Sequence, residues 1–280
     1  MAGEAKASSA ARDGAAQRAE RPLKIALCLH GVVGNLYLDK RNHQWREDVD
    51  YRIGLEHYRR HFFAPNGGEV DVFIHSWSTR YEDAIVRDYA PKAYVFEEQI
   101  DFGHETTNLN FLESRWYSTK ASVDLKRRHE RGNGFAYDWV MLSRFDLALL
   151  SDLVLPTQDQ ARFYAAQHDF RPRASGEPPP GSATNNGFCD LFFYCNSENA
   201  DRFGTLHEVW REYGIFDAHL EAYAHTQALG LRVDHSLIRG LDFELVRGVY
   251  ENCQYTDAPY AGAASLKRTE WSVGRFSDGS

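Results

Sequence analysis

The chain has 280 residues, 43% hydrophobic, 14% aromatic and 26% charged, with a formal net charge of −8. That length holds one large domain or two modest ones with a sizeable core. The acidic balance argues against nucleic-acid binding through bulk electrostatics, and no apolar run approaches the roughly 20 residues that cross a bilayer.

Residues 1–22, MAGEAKASSAARDGAAQRAERP, lack the apolar centre of a secretory signal and predict a disordered tail. LKIALCLHG (23–31) is a continuous apolar run ending in glycine, the form of a first parallel strand feeding a turn. YRIGLEHYRRHFF (51–63) has helical spacing. APNGGE (64–69) is a turn, because glycine supplies the positive φ that tight turns need. VDVFIHSWS (70–78) predicts a second buried strand, YEDAIVRDY (81–89) a short helix and AYVFEEQ (93–99) a third strand. SRWYSTKASVDLKRRHERGNG (114–134) predicts a helix with Ser114 or Ser118 as its cap and Gly132 and Gly134 as its close. YDWVMLSRFDLALL (137–150) is the fourth strand. Strands alternating with helices specify an α/β fold with a mostly parallel, Rossmann-like sheet flanked by helices.

The second half has a different character. ARFYAAQHD (161–169) reads as a strand. RPRASGEPPPGSATNNG (171–187) holds four of the nine prolines and no large apolar residue, so it predicts a mobile surface loop. FCDLFFYCNS (188–197) is a strand, ENADRFGTLHEVWREYG (198–214) a helix, FDAHLEAYAHTQALG (216–230) another helix, and LRVDHSLIRG (231–240) a short strand and turn. Residues 256–280 form a polar tail. The four cysteines, Cys28, Cys189, Cys195 and Cys253, have no C-x-x-C or zinc spacing and read as reduced thiols of a cytoplasmic protein, with Cys189 and Cys195 as possible neighbours.

In an open parallel sheet, ligands bind at the carboxyl ends of the strands. Here those ends are Leu29–His30–Gly31, His75–Ser76–Trp77 and Ser143–Arg144–Phe145–Asp146. Arg144 and Asp146 stand two apart inside an apolar run, and on an extended chain they project to one side. Burying either charge alone is costly, so they either pair with each other or serve a ligand, Arg144 on a phosphate and Asp146 on a cation or ribose hydroxyl. His75 is a structural histidine or a ligand contact. Trp77 stacks on a base or sugar, or packs in the core.

The set KIALCLHG, DVFIHSWS, YAPKAYVFEEQIDF and SRWYSTKASVDLKRRHERGNGFAYDWVMLSRFDLALL resembles, in order over residues 23–150, a family of bacterial and viral glycosyltransferase-like proteins. FCDLFFYCNSENADRF continues it weakly. Those proteins are similar to the GT-A nucleotide-diphospho-sugar transferases and accompany surface-polysaccharide genes. The resemblance implies one GT-A-like domain over 23–255, with a donor-binding half (23–150) and an acceptor half (151–255) whose lid is the loop 171–187. It implies a hexosyltransferase-type enzyme in polysaccharide biosynthesis, cytoplasmic or peripheral at the inner membrane face.

It further implies that Asp146 holds a divalent cation, Mn²⁺ or Mg²⁺, on the diphosphate of a nucleotide-sugar donor, since a metal offsets charge developing on that leaving group. This sequence carries one Asp where such enzymes carry Asp-x-Asp, and Leu142 where relatives often carry Arg, so Arg144 is the alternative neutraliser. Gly31 and Asn35 would approach the nucleotide, or else form a plain tight turn, and Tyr117 and Lys120 would lie over it, or else belong to an exposed helix turn with an aromatic core anchor. His235 is the implied late metal ligand. Asp190 is the preferred catalytic base toward a glycan or related acceptor, ahead of Glu221 and Asp234, or else a strand-start turn residue. The alternatives are a sulfotransferase, disfavoured because LHGVVGN has no Lys, Arg, Ser or Thr, a nucleotidyltransferase, or a non-catalytic nucleotide-sugar-binding protein.

Overall fold

The computed structural model describes residues 22–33, 38–39, 44–45, 50–167, 188–239 and 241–246. Strands from both halves of the chain enter one seven-stranded sheet: β1 (Ile25–Gly31), β2 (Asp71–Ser76), β3 (Ala93–Phe96), β4 (Trp139–Arg144), β5 (Phe163–Gln167), β6 (Cys189–Cys195) and β7 (Val233–Ile238). Their order is β3-β2-β1-β4-β6-β5-β7. Strand β1 pairs in parallel with β2 and β4, β2 with β3, and β5 with β7, whereas β6 runs antiparallel to both of its neighbours. The mostly parallel α/β sheet matches the expectation, with β6 as the exception. The chain builds outward from β1 through β2 to β3, then returns to lay β4 on the other side of β1. The β1/β4 boundary is therefore the topological switch point, the place where open α/β sheets open a crevice.

Both faces of the sheet are covered. Leu27, Leu29 and Met141 pack on Tyr51, Leu55 and Tyr58 of helix α1 (Tyr51–Tyr58) and on Ile85 of α2 (Glu82–Tyr89). Ala26, Cys28, Phe73, Leu142 and Phe193 pack on Trp116 and Val123 of α3 (Thr107–Asn133), Phe203 of α4 (Ser197–Phe203) and Ala222 of α5 (Ala218–Ala228). Each fully buried Leu, Ile or Phe contributes about 1.5–3 kcal/mol, which explains why the central strands read as unbroken apolar runs.

Several boundaries differ from expectation. Helix α3 begins at Thr107, capped by Thr106, whose hydroxyl accepts from Leu109 N at 3.4 Å. Ser114 and Ser118 are therefore buried interior residues and not caps. The run 137–150 is not one strand. Strand β4 stops at Arg144, the chain turns at Phe145–Asp146, and Leu147–Leu149 pairs antiparallel with Phe243–Leu245 in a separate ribbon. Gly54 of α1 explains part of this turn: a Cβ there would lie 2.4 Å from the Phe145 carbonyl oxygen, so only glycine lets the helix seat against it. The 198–214 segment breaks at Gly204, where an added Cβ would meet Val123 of α3 at 3.1 Å. Cys189 and Cys195 are free thiols at opposite ends of β6, not neighbours. The expected tails 1–21 and 256–280, the loop 171–187, Asn35 and Cys253 lie outside the described residues. Among those described, no helix is long and apolar enough to cross a membrane.

Candidate functional site

At the carboxyl end of β1, His30 is in register with His75 on β2 and with Arg144 on β4. Registered residues of a parallel ladder share a face, so the three side chains form one row across the switch point. That face lies beneath α3, whose Ser118 bonds His75.

One end of the row is closed by hydrogen bonds. The Ser118 hydroxyl accepts from Gly31 N at 2.8 Å and lies 2.7 Å from His75 Nδ1, while His75 Nε2 is 2.9 Å from Glu97 Oε1. An ionised carboxylate only accepts, so Nε2 carries the proton and Nδ1 accepts from Ser118. Burial outweighs Glu97 and lowers the His75 pKa. Gly31, at φ 99°, occupies a left-handed conformation that side chains rarely adopt. Trp77 is buried and stacks on Tyr117 at 5.3 Å, and both rings meet His75 edge-on.

At the other end, Arg144 forks onto Asp146: Nε donates to Oδ1 and Nη2 to Oδ2, each at 2.7 Å. The turn at Phe145–Asp146 brings the two groups together, where an extended strand was expected to do so. Tyr58 of α1 fixes the strand end. Its hydroxyl donates to the Arg144 carbonyl at 2.7 Å and accepts from Ser143 Oγ at 2.6 Å. The Asp146 carbonyl accepts from Val246 N at 2.7 Å.

A second arginine faces the row from α3. Arg115 Nη1 is 3.1 Å from Asp190 Oδ2, and its Nη2 donates to the Asp190 carbonyl. Because β6 is antiparallel, its first residues lie at the carboxyl edge of the parallel strands, which puts Asp190 in the site. Asp190 Oδ1 is also 2.9 Å from Nδ1 of His219, in the first turn of α5. Burial alone would raise the Asp190 pKa, but Arg115, His219 and Arg144 together hold it well below the usual carboxylate range. Burial opposes protonation of His219, yet Asp190 raises its pKa on balance.

His30 is in register with Arg144, and the charge of Arg115 also acts on it. It is 4% exposed, and neither ring nitrogen has a side-chain hydrogen-bond partner among the described residues. Burial first, then the guanidinium charges of Arg115 and Arg144, hold its pKa well below 6.5.

Other expected site residues lie elsewhere. Lys120 is engaged by Asp124 at 2.6 Å and Glu208 at 3.5 Å. His235 lies on the outermost strand β7, against Phe188 at 5.7 Å. Three strand intervals separate β7 from β4, about 14 Å at ~4.8 Å each, so His235 and Asp146 do not converge. Asp234 is exposed on the same strand. Glu221 is fully buried, its Oε2 accepting from Trp116 Nε1 at 2.6 Å, and burial pushes its pKa up to about 8.

The surroundings of Asp146 do not fit a divalent cation. Both of its oxygens accept from one guanidinium, whose charge would repel a metal at that position. The two guanidiniums and an imidazole suit an anionic oxygen instead.

No protein-family model matches the chain, and no curated protein matches its sequence.

Sequence reasoning did not single out Arg115 or His219, and named His30 only as part of a strand end. Arg115 was hidden by the misplaced helix start, which left it in an exposed first turn. Nothing local marks His219, which joins Asp190 only through tertiary packing.

Proposed function

We propose that the chain is a glycosyltransferase that moves a sugar from a nucleotide-diphosphate donor to a glycan or related acceptor in surface-polysaccharide synthesis, working at the cytoplasmic side. The observation that carries this reading is the row His75–His30–Arg144 at the switch point, faced by Arg115 from α3. A diphosphate is the ligand group that best uses two guanidiniums at the carboxyl edge of a parallel sheet. Arg144 and Arg115 would neutralise charge on the leaving diphosphate, the task that a cation performs in metal-dependent transferases. Asp190 would then orient His219, and the imidazole would take the acceptor proton. This shifts the base from Asp190 to its partner and leaves Asp190 as the positioning group.

A thermal-shift screen of nucleoside diphosphates and nucleotide-sugars, with and without Mn²⁺, tests the reading. A ligand at 100 times its Kd stabilises by about 2.7 kcal/mol. Stabilisation by one nucleotide series without a metal requirement is expected. No response to any nucleotide would overturn the donor assignment. Binding without sugar transfer or donor hydrolysis would favour a non-catalytic nucleotide-sugar-binding protein.

A further inference from the structure

We propose that His30 and Arg115 are direct contacts for an anionic phosphoryl oxygen of the ligand, forming a receptor that the folded protein holds ready. This deepens the donor-site reading and rests on it.

Buried polar groups in folded proteins are hydrogen-bonded in the great majority, and each exception calls for a reason. Three such atoms belong to two residues of this site. Neither Nδ1 nor Nε2 of His30 has a side-chain partner among the described residues, and Nε of Arg115 has none either. The other edge of the Arg115 guanidinium is held by Asp190, which fixes the plane of the fork and leaves Nε–H aimed elsewhere. His30 cannot escape to solvent, being 4% exposed, and its neighbours His75 and Arg144 are committed to Ser118, Glu97 and Asp146. The imidazole therefore stands beside two guanidiniums, with only the Cys28 backbone, and no side chain, to receive its proton. A phosphoryl oxygen satisfies His30 and Arg115 together, and it meets favourable potential from Arg144. A buried apolar side chain would serve the fold better at position 30, so the cost of histidine there is explained by a ligand.

The test uses isothermal titration of the full chain with inorganic pyrophosphate, alongside thermal melts without ligand. The wild type is expected to bind pyrophosphate. His30→Leu should weaken binding at least tenfold while raising the ligand-free Tm, because it removes a buried polar group that no side chain satisfies. A merely structural histidine would give the opposite: a lower Tm and unchanged affinity. His30→Asn, which restores one side-chain donor, should bind between the two, and it decides the matter if the Leu variant does not fold. Equal affinity in wild type and in whichever variant folds overturns the His30 contact and leaves the donor-site reading standing. Failure of wild type to bind pyrophosphate overturns the phosphoryl receptor, whereas the nucleotide screen separately judges the donor reading, since a donor can still bind through its base and ribose.

Discussion

Replacing Asp146 by Asn probes the feature on which the site is built. The change keeps size and one acceptor oxygen, but it removes the charge and turns an NH₂ toward the guanidinium, so one of the two 2.7 Å bonds becomes a donor–donor contact. Breaking a fully buried ion pair costs about 3–5 kcal/mol. Here the Asp146 side chain is 10% exposed and that of Arg144 26%. Water therefore screens part of the loss, and Asp190 still attracts Arg144. We expect a loss of about 2–3 kcal/mol, scaled down from that range. With a urea m-value near 2–3 kcal/mol/M, the midpoint should fall by about 1 M. Donor affinity should fall as well, because Arg144 loses the clamp that orients it. A stability change within about 0.5 kcal/mol, the range typical of unconstrained surface substitutions, would refute the account of Arg144–Asp146 as a buried pair. Unchanged donor affinity with a large stability loss would remove this strand end from the site.

Glu221 gives a test by pH. Its pKa is raised from 4.5 to about 8, so the folded state holds a proton that the unfolded state releases, and this contribution fades as pH rises between those values. Glu221→Gln keeps the acceptor for Trp116, and melts from pH 5 to pH 8.5 should show it gaining on the wild type as pH increases; parallel curves would refute the assignment. Gly54→Ala places a Cβ 2.4 Å from the Phe145 carbonyl oxygen. Overpacking of this kind costs about 1–3 kcal/mol, measurable by urea unfolding, and equal stability would show that α1 does not seat on the turn as described.

The sequence by itself determined the α/β class and the central strands. Runs such as IALCLHG and WVMLSR are apolar on both faces because helices cover both, and that pattern survives without knowledge of any partner. It also determined that polar residues stand at the strand ends, His30, His75 and Arg144 among them. Tertiary structure decided how they are used. The order β3-β2-β1-β4-β6-β5-β7 and the reversal of β6 are consequences of pairing, which one-dimensional periodicity does not encode. The reversal carries Asp190 to the ligand edge, and the early start of α3 turns Arg115 inward to meet it. Local signals failed at that helix start because Thr106 caps through one hydrogen bond, while SRWYSTK offers equally good capping residues that the core happens to bury. Whether a charge is paired, as with Arg144 and Asp146, or left wanting a partner, as with His30, depends on groups up to 114 positions apart in the chain, the separation of His30 and Arg144. Only the folded chain brings those groups within a few ångströms, where the loss of water makes each unmet hydrogen bond count.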